Sequence, residues 1–94
     1  MIFDKVIFDI ETTITADKIW CIICKHNNTY YQFKEDRLHR FEEFIKKTKE
    51  IIGHNIIGFD IPVLNKYFGY DLFKNCKVTD TLVLSRLLNT MLEG

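Results

Sequence analysis

The sequence predicts one α/β domain whose sheet mixes antiparallel and parallel strands. Three observations lead to this prediction. The length of 94 residues is enough for one domain and too short for two, so residues 1–94 are treated as a single domain. Strand-like apolar runs fill the first third of the chain, and helical spacing appears only after them. One further short apolar run then lies between two helical segments, which indicates a crossover and hence a strand parallel to the first.

The predicted strands are short runs of β-branched and other apolar residues. The first run is almost continuously apolar and is predicted to be a buried central strand. Asn27-Asn28 provides turn chemistry between the second and third runs, so these two are expected to form a hairpin. The fourth run should lie beside the first and parallel to it. The four predicted strands cover residues 6–10, 19–24, 29–33 and 51–53.

Helical spacing marks three further segments. The first helix is indicated by Leu38, Phe41, Phe44 and Ile45. The second repeats apolar residues from Ile61 to Phe68, with Tyr67 expected in the core, and is closed by Gly69. The third covers residues 81–92. Together these elements predict an antiparallel meander plus a parallel central strand, with flanking helices.

Composition excludes several classes of protein. Hydrophobic residues make up 47% of the chain and charged residues 28%, so a disordered tail is excluded. Thirteen basic and thirteen acidic side chains cancel, which excludes a uniformly basic coat but not a local basic patch. Apolar runs are only a few residues long, so no membrane span is expected. Three cysteines without an export signal indicate a reducing cytoplasm, that of the host if the protein is viral.

Two acidic residues end the first predicted strand. Asp9 and Glu11 are two positions apart, so their side chains point to the same face of the sheet. Carboxylate oxygens at this spacing suit Mg²⁺ or Mn²⁺. The alternative is that they are simply the first polar residues where the strand meets solvent.

A third carboxylate follows the fourth strand. Asp60 lies after a loop punctuated by Gly53 and Gly58 and directly before a helix that has Pro62 in its first turn. Taken alone, Asp60 is either a helix cap or a functional acid. Because the first and fourth strands should be neighbours, Asp60 is expected at the same end of the sheet as Asp9 and Glu11.

These motifs resemble those of a known family. Asp9-Ile10-Glu11, then Asn55 followed by Phe59-Asp60, then the string from Asp80 to Leu88 occur in order along nearly the whole chain. The pattern is similar to the proofreading 3′–5′ exonuclease domain of DNA polymerases, in the DnaQ-like (DEDD) superfamily, and most similar to polymerases of T-seven-like bacteriophages (family A). The resemblance implies a ribonuclease H-like fold and a two-metal phosphodiesterase that uses Mg²⁺ or Mn²⁺.

The resemblance also implies roles for individual residues. Asp9 would bridge both metals, Glu11 would bind the metal that activates the attacking water, and Asp60 would hold the second metal. The substrate would be the 3′ end of single-stranded DNA, and the product a nucleoside 5′-monophosphate. Thr12 and Asn55 would lie near the terminal nucleotide, while Phe59 would be either a stacking wedge or part of the core.

One feature of the family is missing from this chain. The family has a fourth acidic residue, preceded by Tyr or His, on a later helix, and no acidic residue follows Asp80 except Glu93. Tyr67 and Asp71 have the right spacing but precede Asp80, so Asp71 is interpreted as a loop residue. Asp80 itself is interpreted as a structural cap of the last helix. The domain is therefore expected to be C-terminally truncated, with weak or no nuclease activity alone.

The last predicted helix carries apolar residues around most of its circumference, from Leu82 to Leu92. This pattern is typical of a helix that expects more protein. Residues 81–92 are accordingly predicted to contact the remainder of a DNA polymerase chain or a second subunit. The alternatives are a helix buried within a small domain, and a catalytically silent module that docks on a partner or on itself through this helix.

Overall fold

The computed structural model describes residues 2–93, with residues 92 and 93 described by their backbone alone. Five strands form one sheet in the order β3-β2-β1-β4-β5. A 3₁₀ turn precedes the first helix and a five-residue π-helical turn precedes the second. In chain order the elements are β1 (Phe3–Thr12), β2 (Ile19–His26), β3 (Thr29–Lys34), the 3₁₀ turn (Glu35–Arg37), α1 (Leu38–Lys46), β4 (Thr48–Gly53), the π turn (Ile56–Asp60), α2 (Ile61–Phe68), β5 (Lys77–Asp80) and α3 (Thr81–Glu93).

The mixed sheet predicted from the sequence is confirmed. β1 is antiparallel to β2 and parallel to β4, with Val6 opposite Ile51. β2 and β3 form the expected hairpin, and Asn27 adopts the left-handed conformation that its turn requires (φ 55°). The fold is α/β with a mixed five-stranded sheet and is compatible with a ribonuclease H-like arrangement. β5, which is parallel to β4, was not predicted from the sequence.

Side chains on β1 alternate between the two faces of the sheet, because successive residues of a strand point in opposite directions. Val6, Phe8 and Ile10 are buried on the face that packs against α1 and α2, here called the covered face. There the ring of Phe8 lies 6.1 Å from that of Phe41 in α1 and 5.8 Å from that of Phe73. Because these rings remove large apolar areas from water, their contacts stabilise the packing of α1 and of the segment after α2 against the sheet.

The opposite face of the sheet, here called the open face, is largely exposed within the described residues. Ile7 of β1 is 54% exposed and Ile23 of β2 is 39% exposed. Asp9 and Glu11 lie on this same face of β1 and are exposed as well. α1 and α2 therefore pack on the covered face, and the two acidic residues of β1 lie on the opposite face.

Two apolar helical segments are less buried than helical spacing suggests. Tyr67 is 54% exposed, so its predicted place in the core is wrong: it lies on the solvent side of α2, whose fully buried residue is Leu64. The interpretation of α3 as a helix buried within a small domain is also wrong. Its exposed apolar side chains are Val83, Leu84, Leu87, Leu88 and Met91, while the side chain of Leu92 lies outside the described residues.

Among residues 2–93, no helix has both the length and the apolar character that crossing a membrane requires.

Candidate active site at the end of β1

The site lies where β1 extends beyond its parallel neighbour. The last paired residues of β1 and β4 are Ile7 and Ile52, and β4 ends one residue later at Gly53. β1 continues to Thr12. The chain leaving β4 therefore occupies the space beside the last residues of β1, where it forms the π turn. This turn ends at Asp60 and places it beside the acidic end of β1.

Close packing at Gly53 holds this loop against the sheet. A Cβ atom at this position would lie 2.3 Å from Cγ2 of Ile56 and 3.0 Å from the backbone oxygen of Phe8. The first distance is far below van der Waals contact, so a side chain larger than hydrogen does not fit. Ile56 is fully buried and anchors the start of the π turn in the core.

Asp9 and Glu11 lie on the same face of β1, as the sequence predicts from their spacing. Asp9 is opposite Ile23 and Glu11 is opposite Cys21 in the antiparallel pairing with β2. The register shifts after Glu11, so the regular alternation of the strand ends directly behind the two carboxylates.

Asp60 is the buried member of the site. Only 3% of it is exposed, and no group among residues 2–93 forms a hydrogen bond with its buried Oδ2 atom. Burial, and then the negative charge of Asp9, raise the pKa of Asp60 from 3.8 to about 7, while the backbone amide of Ile10 opposes the rise. An unpartnered buried carboxylate oxygen is costly unless a proton or a cation compensates it.

The alternative interpretation of Asp60 as a helix cap is not what the structure shows. Asp60 precedes α2, but its side chain makes no capping hydrogen bond. The π turn runs directly into α2, and the backbone N–H of Ile61 already donates to the oxygen of Ile56. The first turn of α2 therefore has backbone partners upstream and does not need a side-chain cap.

The donor chemistry of the site fits a hard divalent cation in part. Asp60 offers an unpartnered buried oxygen, and Asp9 is close enough for its charge to raise the pKa of Asp60. Oxygen ligands of this kind suit Mg²⁺ or Mn²⁺. Within residues 2–93, however, no three His, Cys, Asp or Glu side chains are grouped closely enough to hold a metal ion. The charge of Asp9 acts on Asp60, and Glu11 lies on the same strand face as Asp9, so metal binding by these residues stays a prediction.

The three predicted substrate contacts lie at the end of β1 and in the segment from Asn55 to Asp60. Thr12 is the last residue of β1, is partly buried, and donates its hydroxyl to the backbone oxygen of Thr13 at 2.9 Å. Asn55 is exposed and adopts a left-handed conformation (φ 59°) at the start of the π turn. Phe59 directly precedes Asp60 and is 37% exposed. Phe59 is therefore not a member of the buried core.

Asp80 connects this loop to the last helix. It ends β5, is 3% exposed, and its Oδ1 accepts the backbone N–H groups of Leu82 at 2.9 Å and Val83 at 3.4 Å, as a residue capping α3 does. The same carboxylate also accepts the N–H groups of Asn55 and Ile57, both at 2.9 Å. Sequence reasoning missed this second set of bonds, because a capping pattern reports only on the helix that follows it.

Comparison with known proteins identifies a class of fold. No protein-family model matches the chain, and no curated protein matches it. Seventeen chains of solved structures match. One of them is the family B DNA polymerase from the hyperthermophilic archaeon Pyrobaculum calidifontis, at 25% identity and a TM-score of 0.56. The match covers 72% of this chain and 11% of the polymerase chain.

The chain is therefore an α/β domain with a mixed sheet, with Asp9 and Glu11 on one face at the carboxyl end of β1 and the buried Asp60 beside Asp9. Its structure is similar to a small part of a family B DNA polymerase. The chain spans only about a tenth of that polymerase.

Proposed function

We propose that this chain is part of a metal-dependent 3′–5′ exonuclease of the DnaQ-like type, associated with a phage-type (family A) DNA polymerase. It would remove nucleoside 5′-monophosphates from the 3′ ends of single-stranded DNA. The sequence motifs resemble such exonuclease domains, and the structure is similar to part of a DNA polymerase. Because no three possible ligands are grouped closely within residues 2–93, the chain alone is expected to be weakly active or inactive.

The observation that supports this proposal best is the state of Asp60. Its carboxylate is buried, has one oxygen without a partner, and lies within the field of Asp9. A purely structural carboxylate at this depth would be saturated with hydrogen bonds, as Asp80 is. A buried carboxylate that has an unpartnered oxygen and lies near a second carboxylate is instead typical of a site that binds a cation.

In this proposal the residues of the chain bind the cations, orient the terminal nucleotide and limit the space around its base. Divalent cations held by Asp9, Glu11 and Asp60 would supply charge stabilisation at the phosphodiester and lower the pKa of a bound water. Thr12 would hold the sugar and backbone of the terminal nucleotide beside the end of β1. Asn55 would donate to the same nucleotide from the π turn, and Phe59, which has an exposed edge, would limit the space available to its base.

Calorimetric titration with Mn²⁺ at pH 8 tests the cation site, using Asp60→Asn against the wild type. Binding is expected to be weak in the wild type and lost in the variant, because the variant cannot supply a negative oxygen. Asp4→Asn is the matched control, since Asp4 is an exposed carboxylate on the same strand that pairs with Lys49 at the sheet's other end. Equal heats for all three proteins would contradict the cation site.

A 5′-labelled single-stranded oligonucleotide with Mg²⁺ or Mn²⁺ tests the activity. The chain alone should shorten it slowly or not at all. Rapid shortening that disappears in Asp9→Ala would show that the described carboxylates suffice and would overturn the claim that the site is incomplete.

The exposed apolar surface of α3 favours a second candidate function, that of a catalytically silent docking module. Five apolar side chains of α3 are 47–71% exposed, and a patch of this kind is typical of an interaction surface. The partner would be the remainder of a polymerase chain or a second copy bound through residues 81–92. Light scattering over a range of concentrations tests self-association, and a strict monomer that binds no hydrophobic dye would count against this function.

A further inference from the structure

The segment from Asn55 to Asp60, which comprises Asn55 and the π turn, follows the end of β4 and is not itself part of the sheet. Its backbone must therefore be held by other groups. Ile56 anchors it by burial. The only side chain within residues 2–93 that accepts backbone N–H groups from this segment is Asp80.

The carboxylate of Asp80 divides its four acceptor bonds between two segments of chain. Oδ1 accepts from Asn55 at 2.9 Å, and from the two N–H groups at the start of α3, at 2.9 and 3.4 Å. Oδ2 accepts from Ile57 at 2.9 Å. Asp80 is 3% exposed, so water does not compete effectively for these bonds, and bonds to an ionised carboxylate are stronger than neutral ones.

These bonds connect Asp80 to the first residues of the turn. Asn55 has a left-handed backbone (φ 59°), a conformation that asparagine tolerates better than most residues other than glycine, and its N–H then points to Oδ1 of Asp80. The oxygen of Asn55 accepts the N–H of Phe59 at 3.0 Å, one residue before Asp60. The chain of contacts therefore leads from Asp80 through Asn55 to Phe59, the residue directly before Asp60.

The neighbours of Asp80 reinforce the same connection. Nδ1 of His54 lies 3.0 Å from Oγ1 of Thr81, and that hydroxyl lies 3.4 Å from the backbone oxygen of Gly53. Three consecutive residues of the loop, from Gly53 to Asn55, thus contact the two residues at which β5 passes into α3.

We propose that Asp80 is a positioning residue of the candidate site, which holds the loop bearing Asn55 and Asp60 in place by fastening it to the start of α3. This role rests on the proposed function, because it concerns the orientation of a cation ligand. It goes beyond helix capping, since capping alone needs only the bonds to Leu82 and Val83.

Amide hydrogen exchange measured by NMR on the full chain tests the role without any metal. In the wild type, the amides of Asn55 and Ile57 should exchange slowly although both side chains are exposed. In Asp80→Asn, the carbonyl oxygen can replace Oδ1, but the new amide nitrogen then faces the N–H of Ile57, donor against donor. The exchange rate of the Ile57 amide should therefore increase most, by about tenfold or more. The exchange rates of amides in the β1 core, such as that of Val6, should change little.

Asp71→Asn is the matched control. Asp71 also accepts a backbone N–H, that of Phe73 at 3.2 Å, but on an exposed loop outside the site, so exchange at Asn55 and Ile57 should not change. Should Asp80→Asn fail to fold, Thr81→Ala removes only the hydroxyl contacts to His54 and Gly53. This variant should produce a smaller acceleration at Asn55.

Mn²⁺ titration of the same variants separates this proposal from the proposed function. Asp80→Asn should weaken Mn²⁺ binding about tenfold or more, and Asp71→Asn should leave it unchanged. If Asp80→Asn speeds hydrogen exchange only at the amides of Leu82 and Val83, the proposal is overturned and Asp80 is a helix cap alone. If the loop amides accelerate but the wild type binds no Mn²⁺, the fastening role holds and the proposed function fails.

Discussion

The pH dependence of stability should depend strongly on one side chain, Asp60. Its pKa is raised from 3.8 to about 7, first by burial and then by the charge of Asp9. Between about pH 4 and pH 7, the folded chain therefore keeps a proton on Asp60 that the unfolded chain releases. The stability that this proton contributes is complete below the unfolded pKa, and it is lost as the pH rises through the folded pKa.

The size of this effect follows from the two pKa values. At 1.36 kcal/mol for each pKa unit, the rise from 3.8 to about 7 corresponds to about 4 kcal/mol. This is a large fraction of the total stability of a small domain, which is typically about 5–15 kcal/mol. Asp60→Asn cannot ionise and should lose this dependence. Because pH 4.5 already lies above the unfolded pKa, its free energy of unfolding relative to the wild type should increase by about 3 kcal/mol between pH 4.5 and pH 8.

Urea unfolding followed by circular dichroism, in the absence of divalent cations, measures this difference. Asp9→Asn should show a smaller change of the same sign, because it removes the neighbouring charge but leaves the burial that is the main cause. Asp36→Asn, an exposed residue of the 3₁₀ turn, should follow the wild type at both pH values. A difference below about 1 kcal/mol for Asp60→Asn would refute the argument that Asp60 is buried without compensation.

Two further predictions concern the interior. Gly53→Ala should destabilise the fold by about 1–3 kcal/mol in the same unfolding assay, because its Cβ would overlap Ile56; a loss within error would mean that the loop is free to move away from β4. Burial raises the pKa of Cys24 to about 12, so this thiol should resist a thiol reagent at pH 8 in the folded state. The partly exposed Cys21 should react first, and a fast phase that survives Cys21→Ser but is lost in Cys24→Ser would contradict this order.

Much of the fold could be predicted because apolar periodicity is a local property of the chain. β1, β2 and β3 each contain an apolar run long enough to predict a strand from the local sequence alone. β5 could not be predicted in this way. Lys77–Asp80 is four residues long, it contains a single partly buried aliphatic residue, Val78, and its strand conformation depends on pairing with β4.

The prediction of the site rested less on apolar periodicity and more on which strands lie next to each other in the sheet. The spacing of Asp9 and Glu11 placed them on one face of β1, and adjacency of β1 and β4 placed Asp60 at the same end of the sheet. The choice between a cap and a functional acid for Asp60 remained open. The structure shows that Asp60 is not a side-chain cap, because the backbone bonds of the π turn remove the need for one, and its role as a functional acid stays a prediction.

The sequence by itself determined the class of fold, the order of the first four strands and the end of the sheet where the acidic residues meet, because strand and helix periods and crossover rules act over short stretches of chain. Only the tertiary structure decided which side chains are buried and which are paired. Tyr67 has the spacing of a core residue and is exposed, whereas Asp60 and Asp80 are polar and buried. Burial depends on what packs against a residue from elsewhere in the chain, and the two buried aspartates differ for that reason: four amides surround Asp80, while one oxygen of Asp60 has no partner.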